Sequence, residues 1–182
     1  MKCNLLLSAL LLPGLMLLTP SCKKEVNNDA AGEMLAASRS GNSTAKTQES
    51  DLLKSVRNAT ARFNSTTQAI REGYQPSDHC VSVPGVGGMG YHWVNPTLVD
   101  PVFDPLKPEV MLYARGPGGN LRLVAVEYIV INAMQPHPTF DGHPFDVGGT
   151  PIPAPHWSLH VWLYEHNPAG LFTPMNPTIS CQ

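Results

Sequence analysis

Residues 121–131 decide the fold of this chain, and they read LRLVAVEYIVI. All but two of these residues are apolar and several are β-branched, which favours extended backbone. Because apolar side chains occupy both sets of alternating positions, the pattern predicts a central β-strand that is buried on both faces. Glu127 lies in the middle of this strand, where a carboxylate costs free energy unless it is paired, hydrogen-bonded or bound to a cation.

Three further segments, residues 88–95, 109–115 and 156–166, have the alternating pattern of strands. The sequence GPGGN at 116–120 predicts a hairpin turn, because glycine and asparagine accept the backbone angles that such turns require. Residues 132–155 form a long irregular connection, and connections of that length are often functional. The sequence leaves open whether this loop is a lid.

Between Asp51 and Tyr74, apolar and small residues recur at spacings of three and four, which predicts one helix with a single apolar face. Ser50 or Asp51 suits the N-cap, and Gly73 followed by Pro76 suits the end of the helix. We therefore predict an α+β domain in which one N-terminal helix packs on an antiparallel sheet of about four to five strands, with long Pro/Gly-rich loops. The predicted apolar face consists of Leu53, Val56, Thr60, Phe63, Thr67, Ile70 and Tyr74.

The N-terminus carries a targeting pattern. Lys2 precedes an apolar run over residues 5–18, and the small residue Ser21 stands directly before Cys22. A charged start, a short apolar run and a small residue at the cleavage point define a secretory signal peptide, so we predict that residues 1–21 are removed. The run is shorter than the about 20 residues that span a bilayer comfortably.

The stretch LLTPSC at residues 17–22 resembles the lipobox of bacterial lipoproteins, with Thr19 where that family prefers leucine. The resemblance implies lipidation of Cys22, first on its sulfur and, after cleavage, on its new amino group. Two or more acyl chains give stable membrane attachment. Lys23 differs from the aspartate that resembles an inner-membrane retention signal, which implies the outer membrane, on its periplasmic side or at the cell surface. The alternative is an ordinary signal peptide.

Residues 22–49 are predicted to be the lipidated cysteine and a flexible tether. The segment is rich in small polar residues and contains no aromatic residue. Such a segment cannot bury enough apolar area to offset the entropy lost on ordering. Residues 50–182 then form a single α+β domain.

Cys80 and Cys181 are the two cysteines beyond residue 22. An even pair in an oxidising compartment favours a disulfide, which ties the C-terminus to the start of the β-rich region. In the chain-entropy model, closing a loop of about 100 residues stabilises the fold by roughly 4–5 kcal/mol. The alternative is a Cys/His metal site that uses His79 and Cys80, although one such pair is weak support for zinc.

His92, Glu127 and His160 converge on one face of the sheet if their strands are neighbours. Two imidazoles and one carboxylate suit Zn²⁺, Fe²⁺, Mn²⁺ or Cu²⁺. Glu109 and His156 are candidates for additional ligands, although His156, like His166, lies at a strand end where we expect exposure to solvent. The aromatic residues predicted to border the site are Trp93, Trp162 and Tyr164.

An arginine partner is the main alternative explanation for the carboxylate of Glu127. His137 and His143 in the long loop are either metal donors or solvated turn residues. The candidate arginine partners are Arg57, Arg62, Arg71 and Arg122.

Charge and motifs exclude several classes of protein. The formal net charge is −2 and no cluster of Lys and Arg follows the N-terminal segment. The chain therefore lacks the basic face that nucleic-acid binding requires. It also lacks the nucleophile elbow of α/β-hydrolases, the P-loop and the HExxH zinc motif.

The body of the chain, from about residue 58, resembles a group of uncharacterised secreted bacterial proteins. The segments GMGYHWVNP, GPGGNLRLVAVEY and LHVWLYEHNPAGLF carry this resemblance. It implies no activity. It does imply a recurrent core that contains His92, Glu109, Glu127, His160, Cys80 and Cys181.

These patterns predict a lipid-anchored extracytoplasmic domain that binds a metal ion or a small polar ligand on one sheet face, with no nucleic-acid partner. One alternative is a metal-dependent enzyme, hydrolytic or oxidative, in which Glu127 is a ligand or a general base. The other is a non-catalytic envelope or surface protein whose aromatic face contacts a partner.

Overall fold

The structure is a computed structural model that describes residues 49–149 and 152–181. The predicted signal peptide, the lipidated Cys22 and nearly all of the tether lie outside these residues. The described part contains a six-stranded antiparallel sheet and short helices, which confirms the predicted α+β class, although the sheet has more strands than predicted. Within the same ranges, no helix is long and apolar enough to cross a bilayer.

The main sheet has the strand order β1-β2-β3-β4-β8-β7, and β5 and β6 form a separate hairpin. The predicted central strand, β4, has the bounds that the sequence indicates. The short strands β1 and β7 were not predicted. The strands are β1 (Cys80–Val83), β2 (Gly87–Val94), β3 (Val110–Arg115), β4 (Leu121–Ile131), β5 (Thr139–Phe140), β6 (His143–Pro144), β7 (Asp146–Val147) and β8 (His156–Val161).

Strand β8 ends at Val161, five residues earlier than predicted. The backbone N–H of Trp162 donates to the carbonyl of Leu171 in the C-terminal tail. The predicted loop 132–155 supplies β5, β6 and β7, and β7 pairs with β8 at the edge of the sheet. Part of that loop is therefore regular structure.

The predicted single helix is divided into three pieces, α1 (Asp51–Thr60), a 3₁₀ helix (Ala61–Asn64) and α2 (Thr66–Arg71). Ser50 is the N-cap of α1, and its side chain accepts a hydrogen bond from the backbone N–H of Leu53. Ser65 has extended backbone angles, which end the 3₁₀ helix. Because a 3₁₀ helix has three residues per turn, α2 begins in a new rotational phase.

The new phase changes which residues of α2 face the sheet. Val56 in α1 and Phe63 in the 3₁₀ helix are buried as predicted, but in α2 the buried residue is Ala69. Thr67 is exposed, and Ile70 is 52% exposed. The prediction of one continuous apolar face is therefore wrong at Thr67 and Ile70, whereas Tyr74, which lies beyond α2, is buried as predicted.

Buried side chains form a core on each face of the sheet, so β4 is covered on both sides as predicted. On one face the helices pack against the strands; we call this cluster, which includes Leu53, Val56, Phe63, Tyr113, Tyr128 and Leu159, the helix-side core. The smaller cluster on the other face is the tail-side core, which consists of Val110, Leu112, Ala114, Val124, Ala125, Ile129, Trp162 and Ile179.

The C-terminal tail is attached to the sheet in two ways. Cys80 and Cys181 form a disulfide, as predicted, with 5.6 Å between their Cα atoms. Asn176 and Gly88 exchange backbone hydrogen bonds of 2.9 and 3.0 Å. Because its sulfur is bonded to Cys181, Cys80 is not a metal ligand, and the Cys/His alternative is wrong.

Candidate metal centre

The register of the sheet brings three predicted ligands to one face. His160 in β8 lies directly opposite Glu127 in β4. On the other side of β4, Glu127 lies opposite Val110 in β3. His92 in β2 lies opposite Leu112, which is two residues after Val110 in β3. Opposed residues share a face of the sheet. His92 therefore reaches Glu127 diagonally across β3.

The two imidazoles flank the carboxylate at distances slightly longer than hydrogen bonds. Nε2 of His92 is 3.6 Å from Oε2 of Glu127, and Nε2 of His160 is 3.9 Å from Oε1. One donor atom from each of the three residues lies within 4.8 Å of the other two. Donor atoms around a tetrahedral ion with bonds of about 2.1 Å are about 3.4 Å apart. A small inward rotation of the side chains thus brings all three into coordination distance.

Burial sets the protonation state of this group. Burial lowers the pKa of His92 to about 4, with the carbonyl of Gly90 opposing the shift. Burial, and then the charge of His92, lowers the pKa of His160 to about 3. Burial also raises the pKa of Glu127 to about 8. Both imidazoles are therefore neutral at pH 7, which is the form that binds a metal ion, whereas Glu127 is mostly protonated in the metal-free protein and loses its proton on binding.

The polar atoms of this group lack ordinary protein partners. Nε2 of His160 is buried without a hydrogen bond to any described residue, and Nδ1 of His92 makes none of normal geometry. Buried polar groups are nearly always hydrogen-bonded, so each exception requires an explanation. A shared cation explains the proximity of the three side chains and the unpartnered Nε2 of His160, but not Nδ1 of His92, which does not face Glu127.

The arginine alternative for Glu127 is wrong within the described part of the chain. Among the described residues, no ion pair joins Glu127 to a Lys or Arg. The basic side chains within ion-pair distance of Glu127 are His92 and His160. Each candidate arginine has another partner: Arg57 pairs with Glu49, Arg62 with Glu72, Arg122 with Glu165, and Arg71 donates to Gln68.

The two additional candidate ligands lie outside the group. Glu109 precedes β3, and its carboxylate accepts a 2.9 Å hydrogen bond from the backbone N–H of Ile129. His156 lies four residues from His160 along β8, which is about 13 Å in an extended strand. Contrary to prediction it is 6% exposed, and its Nδ1 lies 2.8 Å from the carbonyl oxygen of Ala154. The other strand-end residue, His166, is exposed as predicted.

Two of the three aromatic residues predicted to border the site lie on the other face. Trp93 follows His92 directly, so it belongs to the helix-side core. Tyr164 also packs against that core, and its hydroxyl donates to the carbonyl of Arg57. Of the three aromatic residues, only Trp162 belongs to the tail-side core. The three aromatic residues therefore do not form one face.

The loop histidines are engaged elsewhere. The ring of His137 stacks on Trp157, and the ring of His143 stacks on Phe172. A cavity of about 400 Å³ lies between the β1–β2 turn and the tail, but none of the three candidate ligands lines it. We therefore base the functional argument on the side-chain group and not on that cavity.

Gly90 is a site residue that the sequence interpretation missed, since the glycine-rich stretch suggested only a flexible turn. Its φ is +96°, and a Cβ atom there would lie 2.3 Å from the carbonyl oxygen of Tyr113. Only glycine accepts this close approach without strain. Gly90 thus fixes the backbone beside His92.

Comparisons with known proteins add no assignment. No family model, no curated protein and no solved structure matches this chain. The geometry of the site and the targeting pattern of the N-terminus are thus the basis of the functional proposal.

Proposed function

We propose that this protein binds one divalent transition-metal ion through His92, Glu127 and His160, and that lipid on Cys22 holds it at the outer membrane. The observation that carries the metal part is the convergence of two imidazoles and one carboxylate within 4.8 Å on one sheet face. Sequence alone supports the anchor.

The chemistry of the donors selects the class of ion. Imidazole nitrogen favours Zn²⁺, Cu²⁺, Fe²⁺ and Mn²⁺ over Mg²⁺ and Ca²⁺, which prefer sites made of oxygen atoms. The side chain of Glu127 is 11% exposed and has no Lys or Arg partner among the described residues. A divalent ion supplies the positive charge that compensates the burial of this carboxylate.

The disulfide supports the proposed location. Disulfides persist in oxidising compartments and are rare in the cytosol. Cys80 and Cys181 are joined, and the lipobox-like sequence ends at a third cysteine, Cys22. An extracytoplasmic domain on a lipidated tether accounts for the three cysteines that follow the predicted signal peptide.

Elemental analysis tests the metal proposal. The full chain, purified without a His tag and equilibrated separately with Zn²⁺, Fe²⁺, Mn²⁺ and Cu²⁺, should retain about one equivalent of at least one of these ions. His160→Ala and Glu127→Gln should lose the ion. His166→Ala is the matched control, because His166 is exposed and lies outside the group. Absence of metal in the wild-type protein, or retention in His160→Ala, contradicts the proposal.

Membrane fractionation tests the anchor. In bacterial cells the wild-type chain should be recovered with the membranes, and mass spectrometry of its N-terminal peptide should show acyl groups on Cys22. Cys22→Ala should shift the protein to the soluble fraction. Recovery of the wild-type chain in the soluble fraction, with an unmodified cysteine, overturns this part.

A metal-dependent enzyme is the second candidate. Catalytic zinc sites commonly have three protein ligands and an open coordination position. The side chain of His92 is 17% exposed, so solvent reaches one side of the group. Turnover of ester, phosphate or peroxide substrates by the loaded wild-type protein, lost in His160→Ala, favours this candidate. Binding without turnover favours a metal-binding domain.

A further inference from the structure

We infer that His79 is a fourth protein ligand of the same ion, which completes a site of three imidazoles and one carboxylate. This inference rests on the proposed metal site. It names a residue that lies just before the first strand and outside the group of His92, Glu127 and His160.

Strand register places His79 beside His92. The first residue of β1, Cys80, is paired with Tyr91 in β2. One step outward along this antiparallel pair brings His79 opposite His92. Cys80 and Tyr91 both pack in the helix-side core. His79 lies one residue outside β1, and extending the alternation of the strand by that residue places it on the tail-side face with His92.

The backbone register places the two histidines side by side on neighbouring chain segments. Opposed residues in an antiparallel pair have Cβ atoms about 4.5–5.5 Å apart. After burial, the charge of His79 is a further cause that lowers the pKa of His92. The inference requires the His79 side chain to rotate across β2 towards Nε2 of His92, which faces Glu127.

The imidazole of His79 is available for such a rotation. His79 is exposed. Its backbone N–H donates a hydrogen bond to Oγ of Ser77, and this bond does not involve the ring. The disulfide at Cys80 holds the adjacent backbone in place. Binding therefore orders one side chain and not a whole segment, which keeps the entropic cost small.

The exposure of the three ligands indicates from which side a fourth can approach. The exposed fractions of the side chains are 17% for His92, 11% for Glu127 and 5% for His160. The group is therefore most open at His92, on the β2 side of the site. His79 directly precedes the next strand outward, β1, and can close this opening.

A fourth protein ligand has a chemical consequence. Structural zinc sites are closed by four protein ligands, whereas catalytic sites keep one position for water or substrate. A site that His79 completes binds and holds an ion. The same site with His79 removed admits water in its place.

Spectroscopy of a His79→Ala variant tests the inference, with Co²⁺ and Cu²⁺ as probes in the full chain. We expect the variant to bind one equivalent with at least about tenfold lower affinity, since even partners that only orient a ligand cost about 10- to 100-fold. The visible d–d bands of Co²⁺ should change as water replaces an imidazole. The electron paramagnetic resonance spectrum of Cu²⁺ should lose one nitrogen coupling.

His166→Ala is the matched control and should leave affinity and both spectra unchanged. Wild-type affinity together with wild-type spectra in His79→Ala overturns the inference. In that case the three-residue site is still supported if the wild-type protein binds Co²⁺ or Cu²⁺ and His160→Ala does not. If the wild-type protein binds neither probe, the proposed site itself fails.

Discussion

Glu127 and His160 are cross-strand partners at the centre of the sheet, and Oε1 of the carboxylate lies 3.9 Å from Nε2 of the imidazole. Both side chains are buried, yet the distance is too long for a hydrogen bond. Buried polar groups without partners destabilise a fold by about 1–3 kcal/mol each. Nε2 of His160 is such a group, and its cost indicates a functional role for this imidazole.

The first prediction concerns the pH dependence of stability in the metal-free protein. Burial raises the pKa of Glu109 and of Glu127 from 4.5 to about 8. Between these values the folded state binds more protons than the unfolded state, so the free energy of unfolding should fall as pH rises towards 8. Glu127→Gln should flatten this slope, because one of the two groups no longer titrates.

Urea denaturation with a chelator present, between pH 6.5 and 8.5, measures this slope. The histidines act in the opposite direction, and their effect fades as pH rises above 6.5. The pKa of His92 and that of His160 are lowered from 6.5, so their contribution is present above pH 6.5 and is lost as pH falls. A slope in Glu127→Gln equal to that of the wild-type protein contradicts the prediction.

The second prediction separates the two buried carboxylates. Glu109→Gln should retain about one equivalent of metal, because the carboxylate of Glu109 binds the backbone N–H of Ile129 and lies outside the ligand group. An amide oxygen can accept the same hydrogen bond. Elemental analysis beside Glu127→Gln makes the comparison. Loss of metal in both variants would make Glu109 part of the site.

Alternation along strands made the ligand group predictable. Glu127 stood out in an apolar run, and His92 and His160 lay well inside two other predicted strands. Sequence did not establish that β2, β3, β4 and β8 are consecutive in the sheet, which depends on long-range pairing. The same alternation rule excludes Trp93 from the face of His92, so that error came from composition and not from a missing signal.

Other errors arose from contacts that no local pattern contains. Ser65 interrupts the helix without a proline or glycine, so propensity gives no warning. His156 is buried because the distant segment around Gly148 packs on it; a Cβ atom at Gly148 would lie 2.1 Å from its ring. Tertiary packing, and not local sequence, decides both outcomes.

The third prediction concerns the backbone beside the site. Gly90→Ala combines a φ of +96° with a Cβ atom 2.3 Å from the carbonyl oxygen of Tyr113. We expect a loss of more than about 2 kcal/mol in the free energy of unfolding, with weaker metal binding, because the strand must shift at His92.

Gly119→Ala is the matched control for this substitution. Gly119 also has a positive φ, of +77°, but a Cβ atom there meets nothing within 4 Å. It should lose only about 1–2 kcal/mol from backbone strain and should keep metal affinity. Equal losses of stability and unchanged metal binding in the two variants would mean that the contact with Tyr113 is unimportant.

The fourth prediction links the disulfide to the metal. Cys80→Ser/Cys181→Ser should lower the free energy of unfolding by roughly 2–5 kcal/mol, because the bond closes a loop across 101 positions of sequence. It should also weaken metal binding, because Cys80 no longer holds the backbone of His79. Urea denaturation and metal titration measure the two effects.

A double-mutant cycle distinguishes this local effect from general destabilisation. If the bond acts through His79, His79→Ala should weaken metal binding less in the disulfide-free background than in the wild-type protein. General loss of structure would make the two effects simply add. Ile179 in the tail-side core is the control: Ile179→Ala should destabilise the fold, because a buried side chain that is 4% exposed is truncated, while its coupling to His79→Ala stays near zero.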